Sequence, residues 1–325
     1  MRALLKNTKL RRAVALLAIL GCAGLLCACS GSSESAQSLL NDTFSGQTQI
    51  ESGEVNLSFA VSAAGAGGAT KPLAVRLSGP FQNAGTDKLP RFSLQLDLSA
   101  AGHTLGAGAT STGSALYVEL AGAWFSTPPS TFAAIEQGYA QATKSAPTAK
   151  VRSTFASLGI DPGRWLSSPA KVGTTTIGGV STVHLSASVD IPAFLADVSK
   201  LSQAGNALGL ASPVPGVAGG SLSPALVTEL AKSIESAHVE VYTGQSDHLL
   251  RRLEVTATVA GTPQTQALLG GLKTAAIKIL LEFTALNKPQ TISAPPNPQP
   301  PSQLLPALQQ LVGALQGAGA SGSGL

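Results

Sequence analysis

The thiol of Cys29 is the side chain best placed for chemistry in this 325-residue chain. It closes the run Leu26-Cys27-Ala28-Cys29, and a thiol is a nucleophile that can be alkylated. Arg2, Lys6, Lys9, Arg11 and Arg12 form a basic stretch with no acidic residue, and Ala13 to Leu26 is an apolar run of 14 residues. That run is shorter than the roughly 20 residues a bilayer span needs. A basic segment, a short apolar segment and small residues in that order have the layout of an export signal. No other constellation in the chain is set up for catalysis. His103, His184, His238 and His248 are scattered, with no pair at helical spacing and no His-Glu-x-x-His. There is no Gly-x-Ser-x-Gly elbow. The glycine runs at 65–68 and 216–220 lack the following Lys-Ser/Thr of a phosphate loop. The chain is therefore not expected to be an enzyme, and no cofactor or metal is expected.

The pattern Leu-x-small-Cys resembles the lipobox of bacterial lipoproteins. The resemblance implies that residues 1–28 are a signal peptide cut before Cys29. It further implies that the thiol carries a diacyl group through a thioether and that the protein sits on the extracytoplasmic face of the cell membrane. The charge balance changes with that cut. Five of the 21 basic residues leave, so 16 remain against 17 acidic ones, and the basic pI of the precursor argues for no nucleic-acid partner. Cys22 and Cys27 leave as well, and Cys29 would be blocked, so no disulfide is available. Core packing alone must hold the fold. Residues 29–37 are small and polar and are expected to be a flexible tether.

Beyond the tether, the dominant signal is alternation with period two, the mark of strands with one wet face. It runs through Val55–Val61, Leu73–Leu77, Phe92–Leu98, Leu116–Leu120, Val183–Val189, Val239–Val241, Leu253–Val259 and Ile277–Phe283. Clean alternation predicts an antiparallel sheet, with Phe59, Leu77, Leu94, Leu96, Val118, Leu281 and Phe283 on its inner face. His184 falls on the opposite face and is expected to be solvated. Helices are expected over Thr131 to Lys144, Val151 to Leu158, Ile191 to Gln203 and Ser223 to Ser236, with a mobile Gly/Pro-rich loop over Ala204 to Leu222. These helices carry few large side chains, so they are expected to leave an apolar cavity against the sheet. Its expected wall is Leu94, Leu96, Val118, Leu185, Val255 and Ile279 from strands, with Ile135, Leu195 and Leu230 from helices. A Pro-rich segment and a stripe of Leu304, Leu305, Leu308, Leu311, Val312 and Leu315 make up residues 289–325. The stripe would dock on the body, engage a partner or membrane, or stay loose.

The order of motifs is itself informative. Ala115-Leu116-Tyr117-Val118-Glu119-Leu120 precedes Ala123-Trp124-Phe125. Ile177-Gly178-Gly179-Val180 leads into Val183-His184-Leu185, then His238 to Tyr242, Leu249 to Leu253, and Ile277 to Pro289. This order resembles the actinobacterial LppX/LprG-type lipoproteins, which look like the LolA and LolB lipid carriers. The resemblance covers about residues 38–296, with a LolA-like domain over 38–288, and implies an α+β fold, a curved antiparallel β half-barrel with short helices over its concave apolar face. It implies a membrane-anchored protein that binds or transfers an acylated lipid or glycolipid. The alternative is a cell-surface interaction or sensory lipoprotein with the same fold and no lipid cargo.

Overall fold

A computed structural model describes residues 34–44, 50–65, 68–69, 72–85, 87–100, 103–145, 162–197, 199, 224–268 and 271–309. Cys29, the helix expected at Val151 to Leu158 and the loop at Ala204 to Leu222 lie outside these residues.

Strands form where β-branched and aliphatic residues alternate with polar ones, and glycine or asparagine turns end them. The chain begins with helix α1 (Ala36–Phe44), then β1 (Ser52–Gly65), the two-residue β2 (Gly68–Ala69), β3 (Leu73–Gln82), β4 (Arg91–Ala100), β5 (His103–Ser111), β6 (Leu116–Leu120) and β7 (Ala123–Ser126). Helix α2 (Pro129–Ser145) and the single turn α3 (Pro162–Trp165) precede β8 (Leu166–Ile177) and β9 (Val180–Val189). A helical stretch at 191–197 follows. Then come α4 (Pro224–Ser233), β10 (Ile234–Gly244), β11 (Leu250–Ala260), α5 (Pro263–Leu268) and β12 (Leu272–Thr284).

All the pairings between these strands are antiparallel, in the order β7-β6-β5-β4-β3-β1-β12-β11-β10-β9-β8, with β2 folded back on β1. The sheet is open: β7 and β8 are its two edges. Each half is a run of sequence neighbours, and the β1–β12 pairing joins the halves. Edge strand β8 is blunted. Its pairing to β9 slips twice, and Ser168 adopts φ 51°. Such bulges and kinks discourage edge-to-edge pairing with another chain. The β7 edge is covered by the chain's own C-terminal strap, which bridges Phe125 through Gln299.

Cross-strand partners share a face, so register fixes which side chains meet. One row runs Leu120, Ala107, Leu96, Leu77, Leu57, Leu281, Leu253, Val241 and Leu185. The next runs Leu98, Val75, Phe59, Ile279, Val255, Val239 and Ala187. The alternation read from the sequence therefore gave the correct face for every one of the strand residues expected to point inward.

That apolar face is packed unevenly. Over β9, β10 and β11, Leu185, Ala187, Val239, Val241, Leu253 and Val255 are buried under Leu39 and Leu40 of α1 and Trp165 of α3. Over β3 and β4 no residue with a described burial is buried. There α2 supplies a smaller cluster, Phe132 against Leu89 and Leu116, with Phe92 and Tyr139 packed beside it.

Candidate functional site

The loosely packed half sets small side chains between larger ones. Strand β5 contributes Ala107 and Ala109 to the apolar face, both only half-buried. Ala107 lies opposite Leu96 on one side and Leu120 on the other; Ala109 lies opposite Leu94 and Val118. A low floor of two methyl groups thus runs between two walls of larger aliphatic side chains. On the other face of β5, Gly108 leaves room for Gln95 Nε2 of β4 to donate across it to Glu119 Oε2 of β6, at 2.8 Å. A Cβ at Gly108 would stand 2.7 Å from that carboxylate oxygen. The small residues of β5 therefore serve both faces at once: a polar clasp outside, a furrow inside.

Two large aliphatic side chains of this half stay unusually open for their type. Leu96 is 39% exposed and Ile135 of α2 is 40% exposed. Ile135 lies one helical turn after Phe132, which α2 packs against Leu89 and Leu116. Large aliphatic side chains left this open on an inner face are apolar area that a ligand would cover.

The nine expected wall residues separate into groups. Leu94, Leu96 and Val118 line the furrow, and Ile135 is exposed on α2. Ile279 is half-buried at the junction of the two halves. Leu185 and Val255 share the right face, but α1 and α3 fill the space above them, so they are core rather than open wall. Leu195 is buried in the helical stretch at 191–197, and Leu230 of α4 is half-buried. Ala107, Ala109 and Leu120 are furrow residues the sequence reading missed. Their signal was the interruption of aliphatic alternation by Gly-Ala-Gly-Ala at 106–109.

The opposite face of the sheet is polar, and its best-ordered feature looks superficially catalytic. Ser186 Oγ donates to Glu240 Oε1 at 3.0 Å, and His184 Nε2 lies 2.6 Å from Glu240 Oε2. A nucleophilic triad needs imidazole between hydroxyl and carboxylate. Here the carboxylate stands between the other two, so the histidine cannot take the serine proton. His184 is also not simply solvated, as its sequence position suggested. Its ring stacks on Tyr242 at 4.3 Å, and the Arg252 guanidinium lies 5.5 Å from the other ring's centroid. Arg252 in turn donates twice to Glu282, at 2.7 and 2.5 Å. This ladder ties β9, β10, β11 and β12 together. Burial, followed by the charges of Glu254 and Glu240, pushes the Tyr242 phenol above its usual value of 10.0, with Arg252 pulling against them. Two depressions of about 360 and 370 Å³ also open on this face, lined by residues such as Ser62, Thr256 and Lys278, and Asn56, Arg76 and Glu282. Neither reaches the furrow.

One further cluster could suggest a metal. Glu34, Asp42 and His248 bring donor atoms within 4.8 Å of one another. Yet Nε2 of His248 faces Glu34 at 3.4 Å while Nδ1 faces Asp42 at 3.8 Å. One ion cannot use both ring nitrogens of a single imidazole. The arrangement instead clips α1 to the β10–β11 turn, and Thr43 Oγ1 adds a bond to Thr243 Oγ1 at 2.8 Å.

No family model and no curated protein matches the chain. Solved structures do. LprF from Mycobacterium bovis is similar at 12% identity and a TM-score of 0.38, over 80% of this chain and 96% of that one. The Mycobacterium tuberculosis lipoprotein LppX is similar at 12% identity and a TM-score of 0.35, over 81% of this chain and all of that one, 100%. A LolA superfamily protein from Nitrosomonas europaea is similar at 10% identity and a TM-score of 0.19, over 79% and 94%.

Proposed function

We propose that the chain is a membrane-anchored lipoprotein, tethered through an acylated Cys29, that binds or transfers an acylated lipid along the furrow on β4, β5 and β6. The observation that supports this reading is the contrast between the two halves of one apolar face. The half beneath α1 is filled. The other half presents Leu94, Leu96, Val118 and Leu120 around an alanine floor, with Leu96 left 39% exposed.

An acyl chain laid there gains about 0.8 kcal/mol for each methylene it buries. Binding would come from area and not from directed hydrogen bonds, so chain length should matter more than headgroup. The test is saturable uptake of a fluorescent fatty-acyl probe, with native mass spectrometry of the purified protein for retained lipid. Val118→Trp, which fills the furrow from the β6 wall, should abolish uptake and leave the melting temperature within a few degrees of wild type. Failure of the wild-type protein to take up any acyl probe or to retain any native lipid would refute the carrier reading. An interaction lipoprotein without cargo would then replace it.

A further inference from the structure

We propose that the end of the sheet bearing the β10–β11 turn is the membrane-facing end, and that Leu305 and Leu308 insert into the same bilayer there as a second, non-covalent contact. The proposal rests on the reading of Cys29 as a lipid anchor.

The tether fixes the end. Glu34 is held against His248 in the β10–β11 turn, and it is the fifth residue after Cys29. Five residues reach at most about 18 Å. The same end carries the last residues of β3, β5, β7 and β12 and the first of β1, β4 and β6, as the registers require.

The C-terminal strap crosses this end. Asn287 N donates to Ser52 O at 2.9 Å, and Ser52 Oγ donates to Lys288 O at 2.7 Å. Gln290 N donates to Gln82 Oε1 at 3.1 Å, and Arg91 Nη2 donates to Ile292 O at 2.7 Å, with Ile292 buried. The strap then pairs Gln299 with β7: Gln299 N donates to Trp124 O, and Ser126 N donates to Gln299 O. That bridge is parallel. Strand β7 runs toward the tethered end, so the chain leaves Gln299 in that direction too. A 3-10 turn at Pro301–Gln303 and a helical stretch at 304–309 follow. Tether and helical stretch therefore emerge from one end of the molecule.

What emerges is apolar and open. Leu305 is 63% exposed and Leu308 is 38% exposed. The last charged side chain of the sequence is Lys288, so residues 289–325 hold none. A segment without charges has no ionic means of recognising a protein partner and loses no charge hydration on entering a bilayer. Two leucines alone would bind membrane weakly. A covalent anchor a few tens of ångströms away raises their effective concentration at the surface and makes a weak contact sufficient.

The test uses the acylated full-length protein in vesicles of phosphatidylglycerol and phosphatidylethanolamine. With Cys29 lipidated, a single new thiol can be labelled with an environment-sensitive dye. Ser302→Cys reports the proposed contact. Thr104→Cys reports the far end of β5, roughly 24 Å of strand away. The expected result is a blue-shifted dye at 302 that is quenched by spin-labelled lipid several-fold more than the dye at 104. Leu305→Asp with Leu308→Asp should remove the difference while the protein still floats with the vesicles and keeps its melting temperature. Equal quenching at both sites in a protein that floats would overturn the proposal and leave the anchor standing. A protein with Cys29 intact that does not float would refute the anchor and the proposal together. Acyl-probe uptake in solution is read separately and is unaffected by either outcome.

Discussion

Arg251 lies on the apolar side of β11, 6% exposed, and donates through Nη2 to Asp247 Oδ2 at 2.5 Å. Its Nε and Nη1 are buried with no hydrogen-bond partner. A buried cation thus depends on one carboxylate four residues earlier, in the turn that also receives α1. Removing that partner leaves an uncompensated buried charge, which costs more than the pair itself contributes. Asp247→Asn is expected to destabilise by about 1–3 kcal/mol, since the aspartate is partly exposed. Arg251→Met, which removes the charge and keeps the apolar stem, should cost less. Chemical denaturation of both variants decides it; an Asp247→Asn protein as stable as Arg251→Met would sink the argument.

The two halves of the apolar face should answer an introduced carboxylate differently. Leu185→Asp places a charge in a filled core and is expected to cost several kcal/mol. Leu96→Asp, which alternation alone would rank as equally severe, should cost about 1 kcal/mol because Leu96 is already open to solvent. The same Leu96→Asp change should sharply weaken acyl-probe uptake. Equal melting temperatures for the two variants would mean that the furrow is closed in solution.

Gly79 sits opposite Val55 in β3, on the apolar face, with φ 146°. A Cβ there would fall 1.9 Å from the carbonyl oxygen of Ser93, too close for any side chain. Gly79→Ala is expected to cost about 2–3 kcal/mol, because the β3–β4 pairing must shift. Ala74→Gly in the same strand serves as the comparison. Thermal unfolding that ranks Gly79→Ala the milder of the two would contradict this.

Alkaline titration offers a test of the polar face. Tyr242 and Tyr139 both ionise above the usual 10.0, Tyr139 through burial alone and Tyr242 through burial and then Glu254 and Glu240. The unfolded chain loses these phenolic protons first. The stabilisation from keeping them neutral is therefore whole below the unfolded value and is lost progressively as pH rises from there through the higher folded value. Arg252→Gln removes the one charge that lowers the Tyr242 value, so its phenol should ionise later still. Ultraviolet difference spectra against Tyr242→Phe would read the midpoint, and a midpoint below 10 would contradict the assignment.

Strand existence and facing were legible because aliphatic side chains mark them locally. The alternation through Phe92–Leu98 or Ile277–Phe283 needs no knowledge of the neighbours. Strand β5 was not legible. Its His-Thr-Leu-Gly-Ala-Gly-Ala-Thr-Ser is a strand because Leu96, Gln95, Glu119 and Val118 on either side require small residues between them. Helix α1 was read as partly tether for a similar reason. Ala36 to Phe44 has weak helical signal, and it is held by Leu39 and Leu40 buried against Trp165 and by the clip at His248. Which half of the apolar face is filled follows from where α1 docks, some 200 residues away in sequence from the turn that receives it. The docking of the Pro-rich strap through Ile292 and Gln299 depends on acceptors and donors in β3, β4 and β7 that composition does not reveal.

The β1–β12 pairing also sets a clock for folding. Phe59 meets Ile279 and Val55 meets Phe283 across more than 200 residues. Each half-sheet assembles from sequence neighbours, but the seam between them closes a very long loop, and contacts of that kind form late and slowly. A chain delivered N-terminus first would hold β1 with one bare edge until Leu272 to Thr284 arrives. Throughout that interval an extended aliphatic strand is available to any other strand nearby. A chain ended before Leu272 would keep that exposure permanently, and its fate should be aggregation or proteolysis rather than a smaller folded domain.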